Sequence, residues 1–349
     1  MKFVKLDCVE DGDILGQHIL TMDGNTLLKE GVVLNSVFID KLRKIGVGYV
    51  YIKDEDASEL GTEYREMAKL KTEVLKSFSN VFSNLQRGEK PVFKEVLGKV
   101  DSMVEFIQDH QEINSTYLSD LKTYDNYTYI HSLNVAMLSI FFGTKLNKNK
   151  ESLTELGVAG MLHDIGKTKI PIEILNKSGK LSNEEFQIMK MHPIYGYEIT
   201  RGSDDITEAA RCAILYHHEK LDGSGYPHGL LGKEIDNISK IVCISDVYDA
   251  VASDRVYRKA FSPSDSYEYI LGGCGSLFDH KLVEIFKDNF SLYPIGTKVM
   301  LSTGEVGTII GHNIGFPDKP IVNIINNIGS DKRINLIKKL DICIVENIK

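Results

Sequence analysis

Ile214-Leu215-Tyr216-His217-His218-Glu219-Lys220-Leu221-Asp222-Gly223-Ser224-Gly225-Tyr226-Pro227 is the stretch around which this chain is organised. It starts apolar, reaches two adjacent histidines, and enters a glycine-rich turn closed by Tyr-Pro. Imidazole is the commonest side-chain ligand for borderline metals. Successive residues on a helix lie about 100° apart, so His217 and His218 can act as neighbouring ligands of one ion. Gly223 and Gly225 let the turn approach a ligand closely. Asp222 reads as a turn residue, and Tyr226-Pro227 offers a rigid apolar surface with one hydroxyl.

Four other segments supply matching residues. Asp125–Ser132 leads into the apolar helix LNVAMLSIFF and puts His131 near its start. Met161–Lys167 carries adjacent His163 and Asp164, which diverge around a helix and can flank one metal. Lys167 follows three residues on, where it can reach a substrate phosphate. Lys190–Pro193 contains His192. Val242–Ala250 places Asp246 and Asp249 on one helical face. Each segment alone has a bland reading, as a satisfied core histidine, a hydrogen-bonded His-Asp pair or a solvated acidic face. Jointly they say more. Five of the ten histidines fall between positions 131 and 218, each beside apolar sequence. Burying them with carboxylates and no partner is costly, and a metal centre satisfies them together. The seven candidate ligands are His131, His163, Asp164, His192, His217, His218 and Asp246. They exceed what one ion needs, so at least two divalent ions are expected, with Asp164 as the bridge. A His-rich, Asp-bridged set suits Fe or Mn and accommodates Zn, Co or Ni.

The chain has 349 residues, 42% of them hydrophobic, enough for a sizeable core. Lys plus Arg number 41 and Asp plus Glu 49, a net charge of −8. That balance argues against binding a nucleic-acid polymer, which needs many phosphate-neutralising cations. Five cysteines without a CxxC point to a reducing compartment. The first residues lack a signal-peptide core, and Val135–Phe142 is too short to span a bilayer. A soluble cytoplasmic protein without membrane insertion is expected.

The fold expected is mainly α, a helical bundle with a small N-terminal α+β unit and a small C-terminal β appendage. Residues 1–57 form the first unit, with a hairpin turn at Asp23-Gly24-Asn25, a short helix capped by Ser36 and ended by Gly46, and a strand over 47–52. Residues 58–123 form a helical hairpin. Leu70, Val74, Phe78, Val81 and Leu85 keep helical spacing, as do Val92, Val96, Val100, Met103 and Ile107. These stripes are either internal core or a homodimer contact. Residues 124–293 hold nearly all the candidate site residues and read as a mostly helical domain. Ser182 with Glu185 reads as a capping box, as does Asp205 with Glu208 ahead of the helix that delivers His217. Residues 294–349 turn to strands: a hairpin with its turn at Ser302–Glu305, then 321–325 and 342–345.

The order His131, His163-Asp164, Asp246 resembles the HD superfamily of metal-dependent phosphohydrolases. With His192, His217-His218 and Gly225-Tyr226-Pro227 added, the chain is similar to the HD-GYP family of cyclic di-GMP phosphodiesterases. HDIGK, HHEKLDGSGYP and the ISDVYDA–SDRVYR run stand in order over roughly residues 120–290. The resemblance implies an HD-type helical bundle and a first metal held by His131, His163, Asp164 and Asp246. It implies a second metal held by Asp164, His192, His217 and His218. Some members carry a Glu four residues before the first His, tied to a third metal. Here Tyr127 stands there, so two ions are expected.

Two ions about 3.5–4 Å apart can hold a bridging hydroxide and clamp a phosphodiester for in-line attack. Asp164 and Lys167 then carry the catalysis, Lys167 by stabilising the charged transition state. Asp249 would orient groups around the ligands. Gly225, Tyr226 and Pro227 would form a substrate wall. The helix bearing Asp246 should end near Ala252-Ser253, so that Arg255 and Arg258 loop back onto phosphate or guanine. The expected activity is hydrolysis of cyclic di-GMP to pGpG, with GMP as a further product. Alternatives are hydrolysis of cyclic GMP-AMP or another nucleotide, or a scaffold that binds without turnover. Signalling proteins are expected as partners.

Overall fold

The computed structural model describes residues 2–6, 9–16, 19–20, 26–44, 47, 49–53, 62–110, 127–175, 177, 179–252, 261–293, 295–324 and 332–348. About half of the described residues are helical, so the mainly-α expectation holds. The chain divides into two compact units, one drawn from its two ends, the other from Glu66–His110 and Tyr127–Ile285.

In the first unit, the N-terminal part contains β1 (Lys2–Lys5), β2 (Ile19–Leu20), β3 (Thr26–Leu28), α1 (Ser36–Lys44) and β4 (Tyr49–Ile52). β1 pairs antiparallel with β4, and β2 with β3. Leu6, Leu15, Leu34, Ile39, Leu42, Val50 and Ile52 fill its core. The expected turn at 23–25 and the stop at Gly46 lie outside the described residues. Asn35, not Ser36, caps α1: its Oδ1 accepts the Phe38 amide at 2.9 Å. Ser36 is the first helical residue. Both residue types favour this position, and reach to an amide in the first turn decides between them.

The C-terminal part is one antiparallel sheet of β5 (Lys298–Leu301), β6 (Val306–Asn313), β7 (Phe316–Ile324), β8 (Lys332–Asn335) and β9 (Ile344–Asn347), in the order β8-β7-β6-β5-β9. The β5–β6 hairpin turns where expected. The last strand begins at Ile344, two residues later than expected. β8 escapes a pattern search because it is an edge strand in which only Ile334 is buried.

The second unit is helical. α2 (Thr62–Gln86) and α3 (Lys94–Asp109) are helices over the two expected stripes, joined by a Lys99 Nζ–Glu73 Oε2 ion pair at 2.5 Å. Val74, Phe78 and Val81, and Val96, Val100, Met103 and Ile107, are buried within the chain. Val92 is exposed, because α3 begins only after it. α4 (Tyr127–Lys145) is apolar around most of its circumference and is accordingly buried. It packs on α5 (Lys150–Leu162), which also meets α3. A 3-10 turn (Ile165–Lys169), α6 (Ile172–Leu175) and α7 (Asn183–Met189) lead to α8 (His192–Arg201), α9 (Glu208–Tyr216) and α10 (Asn237–Val251). α9 packs on α5, α8 and α10, and α10 on α4 and α5. α11 (Pro263–Gly272) and α12 (His280–Asn289) follow.

The Ser182–Glu185 capping box is present in both directions. α9, however, is capped by Thr207, whose hydroxyl accepts the Ala210 amide at 3.2 Å. Asp205 lies outside the helix, and the Glu208 carboxylate bonds Arg211 and Tyr197 instead. Among the described residues, no helix is long and apolar enough to cross a membrane.

Candidate metal centre and substrate loop

Helix ends build the site. α5 stops at Leu162, with His163 as its C-cap and Asp164 opening the 3-10 turn. α9 stops at Tyr216, with His217 as its C-cap. His163-Asp164 and His217-His218 therefore do not diverge around a continuous helix, as their spacing suggested. A helix end leaves carbonyls without amide partners, and these histidines use them. Nδ1–H of His163 donates to Gly160 O at 2.7 Å, and that of His217 to Ile214 O at 2.8 Å. His192 follows α7 and donates to Met189 O at 2.8 Å. Each bond spans three residues and turns the Nε2 lone pair inward.

His131 is held differently. Its Nδ1–H donates to Asp249 Oδ2 at 2.8 Å, and Asp249 Oδ1 accepts from Asn134 Nδ2 at 3.0 Å. Asp246 and Asp249 do share the inner face of α10, and both are buried.

These side chains converge. His131 Nε2 is 3.1 Å from Asp246 Oδ1, and His163 Nε2 is 3.3 Å from Asp164 Oδ2. His192 Nε2 lies 3.3 Å from both Asp164 Oδ1 and His217 Nε2. His218 presents Nδ1 at 3.7 Å from Asp246 Oδ2. Three groups have donor atoms within 4.8 Å of one another: His131, His163 and Asp164; His192, His217 and His218; and His163, His217 and Asp246.

The electrostatics suit a cation. Burial would raise the Asp164 carboxyl, but Lys167 and His163 beside it hold it well below its usual range. Asp246 is likewise held low against burial by the His131 hydrogen bond and neighbouring imidazoles. Burial, opposed in part by Asp164, brings His192 down to about 4. Its 3.3 Å approach to Asp164 is therefore that of a neutral imidazole, not an ion pair. Burial and adjacent imidazoles depress His217 and His218 too. Burial also opposes charge on His131, yet the hydrogen bonds it donates to the Asp246 and Asp249 carboxylates lift it to about 10. His163 Nε2 and Asp164 Oδ1 are buried without a hydrogen-bond partner. Inward lone pairs, ionised carboxylates and orphaned buried atoms are what a divalent metal would satisfy, so the residues fit the group.

Lys167 Nζ donates to Asp164 Oδ2 at 2.6 Å. The 3-10 repeat of three residues stacks the two side chains. Gly166 between them is a steric necessity: a β-carbon there would collide with the His192 carbonyl oxygen and lie 2.5 Å from Gly196 N.

The turn after the histidines folds back on them. Asp222 Oδ1 accepts the Ser224 amide at 2.9 Å, a turn residue as expected. A β-carbon on Gly225 would strike Glu219 Cα and lie 2.5 Å from Lys220 N. Tyr226-Pro227 is a cis peptide. The Tyr226 ring lies 4.6 Å from that of His218, centroid to centroid, and burial keeps its phenol protonated. Glu219 is a residue the motif reading passed over. It is buried and accepts the amides of His228 (2.7 Å), Gly229 (3.1 Å) and Leu230 (2.9 Å). An acid directly after the His217-His218 pair, followed by glycine-rich sequence, was the available signal. Asn134, three residues after His131 and so on its helical face, was the other. α10 ends at Val251 with Ala252 as its C-cap, where expected. Arg255 and Arg258 lie outside the described residues.

A cyclic di-GMP phosphodiesterase of Pseudomonas aeruginosa is 36% identical over 190 residues, covering 54% of this chain and 46% of that protein. The 3'3'-cGAMP-specific phosphodiesterase 1 of Vibrio cholerae is 32% identical over 208 residues, covering 58% of this chain and 45% of the relative. The chain thus spans about half the length of these curated relatives. Among solved structures, Bd1817, an HDG"Y"P protein of Bdellovibrio bacteriovorus, superposes with a TM-score of 0.55 at 16% identity, over 82% of this chain and 99% of that one, a likeness of fold. The HD domain family profile matches residues 104–282, just over half of the chain, and the protein accordingly belongs to the HD domain family.

Proposed function

We propose that the chain is a metal-dependent phosphodiesterase that opens cyclic di-GMP to linear pGpG, with two divalent ions at the His/Asp centre. The observation that carries this reading is the convergence of seven buried or half-buried ligand-type side chains directly beside the Tyr226 turn. The names of the relatives support the substrate class.

His131, His163, Asp164 and Asp246 would hold one ion; Asp164, His192, His217 and His218 the other. Fe or Mn suits this set best. Tyr127 stands where a third ion would need a carboxylate, so two are proposed. When bound, the metals supply an activated water and neutralise phosphate charge. The chain's own groups do the rest. Asp249 keeps His131 Nε2 facing the centre, where its proton would give way to a bound metal. Lys167 neutralises charge on the phosphoryl oxygens. The protonated Tyr226 hydroxyl donates to a phosphate oxygen, and Glu219 keeps the turn that carries it in place. Arg255 and Arg258 are proposed as further phosphate or guanine contacts.

The test is turnover of cyclic di-GMP by protein with defined Fe, Mn and Zn loading, products resolved by chromatography, alongside Asp164→Ala. No turnover in any fully loaded form would overturn the reading. A second substrate, cyclic GMP-AMP, is favoured by the cGAMP-specific relative, and the same assay with both dinucleotides separates them.

A further inference from the structure

Lys190 is the C-cap of α7, two residues before His192. Its Nζ lies 4.9 Å from the Phe186 ring centroid and 5.3 Å from that of Tyr226. Tyr226 in turn packs against His218. Lys190 is thus separated from the metal centre by one ring, at the rim of the proposed substrate site. The other lysines near the centre are engaged. Lys167 bonds Asp164 at 2.6 Å, and Lys220 Nζ is 3.0 Å from Cys243 Sγ. Lys190 pairs with no carboxylate among the described residues, and cation–π contact alone holds it in place. An ammonium held between two rings keeps donors free for an anion.

A cyclic dinucleotide carries two phosphodiesters on opposite sides of one ring. When one lies at the His/Asp centre, the other needs a cation a short distance away, past the Tyr226 wall. We propose that Lys190 is a substrate-positioning residue that receives this second phosphodiester. The proposal rests on the cyclic-dinucleotide reading above. It gives the chain a means to prefer cyclic dinucleotides over small diesters that carry a single phosphate.

The test uses the full chain with Lys190→Met and Lys190→Arg. Steady-state kinetics are measured with cyclic di-GMP and with bis(4-nitrophenyl) phosphate, and equilibrium binding of cyclic di-GMP is measured on chelator-treated protein. Lys190→Met should raise KM and weaken binding about tenfold, the cost of losing one charge-assisted hydrogen bond. Metal content, kcat, and rates on the one-phosphate substrate should be unchanged. Lys190→Arg should restore most of the affinity, which a merely packing role would not require. Added salt should weaken the wild type more than Lys190→Met. Unchanged KM and binding in Lys190→Met, with wild-type turnover intact, overturns the Lys190 proposal alone. Wild-type binding without turnover overturns the phosphodiesterase reading alone, and the binding comparison then decides Lys190. Neither binding nor turnover by the wild type overturns both.

Discussion

His163, His192 and His217 are aimed by the backbone, and His131 by a side chain. The first three borrow carbonyls at the ends of helices or just beyond, each three residues back. His131 sits inside α4, where the carbonyls are already used by the helix, and needs Asp249 from α10. The difference teaches where the centre is open to change. A backbone anchor survives any substitution that keeps the local turn. A side-chain anchor fails with a single residue on another helix.

Asp164 spans both kinds of anchor. Oδ2 lies 3.3 Å from His163, 3.8 Å from His131 and 2.6 Å from Lys167, and Oδ1 lies 3.3 Å from His192. Asp164→Ala should therefore reduce turnover below detection and strip metal from both sets of ligands, read by elemental analysis of the purified variant. Metal retained at full stoichiometry with turnover intact would break the picture of a shared carboxylate. Gly166→Ala attacks the backbone-aimed side, since its β-carbon meets backbone of α8. We expect a loss of about 1–3 kcal/mol in urea unfolding, typical of overpacking, together with weaker metal binding.

Asp249→Ala attacks the side-chain-aimed side. Loss of such an orienting partner typically costs about 10–100-fold in metal affinity. Competition with a chromogenic chelator should show that loss for one ion and near wild-type affinity for the other. Asp249→Asn keeps an acceptor for the His131 Nδ1–H and should recover part of it. If both ions weaken equally, the two anchoring modes are not independent. Asn134→Ala removes only the 3.0 Å bond behind Asp249. A shift of about 1 kcal/mol, roughly fivefold in the affinity of that same ion, is expected.

The seven candidate ligands were legible because metal-ligand residue types next to long apolar runs are costly to bury unless something satisfies them. Ser182–Glu185 was legible because a capping box is a purely local contract. Thr207 and Asn35 were missed because several neighbouring residues could cap, and only the path of the chain decides whose oxygen meets the amide. Glu219 and Asn134 were missed because their partners are loop amides 9 to 11 positions away and a carboxylate 115 positions away. Lys190 carried no motif signal of its own, since its role depends on the ring of Tyr226, which arrives from another element.

The sequence by itself determined the helical class, the inventory of candidate ligands and the glycine-permitted turn, because periodicity, residue chemistry and backbone freedom are properties of short segments. The tertiary structure alone decided which nitrogen of each histidine faces inward and which groups meet across helices. It also ended α5 and α9 just before the histidines, so that adjacent ligands sit on turns and not on one helical surface. Those are matters of where separate segments cross, and they are settled only when the helices pack and bury their shared polar centre.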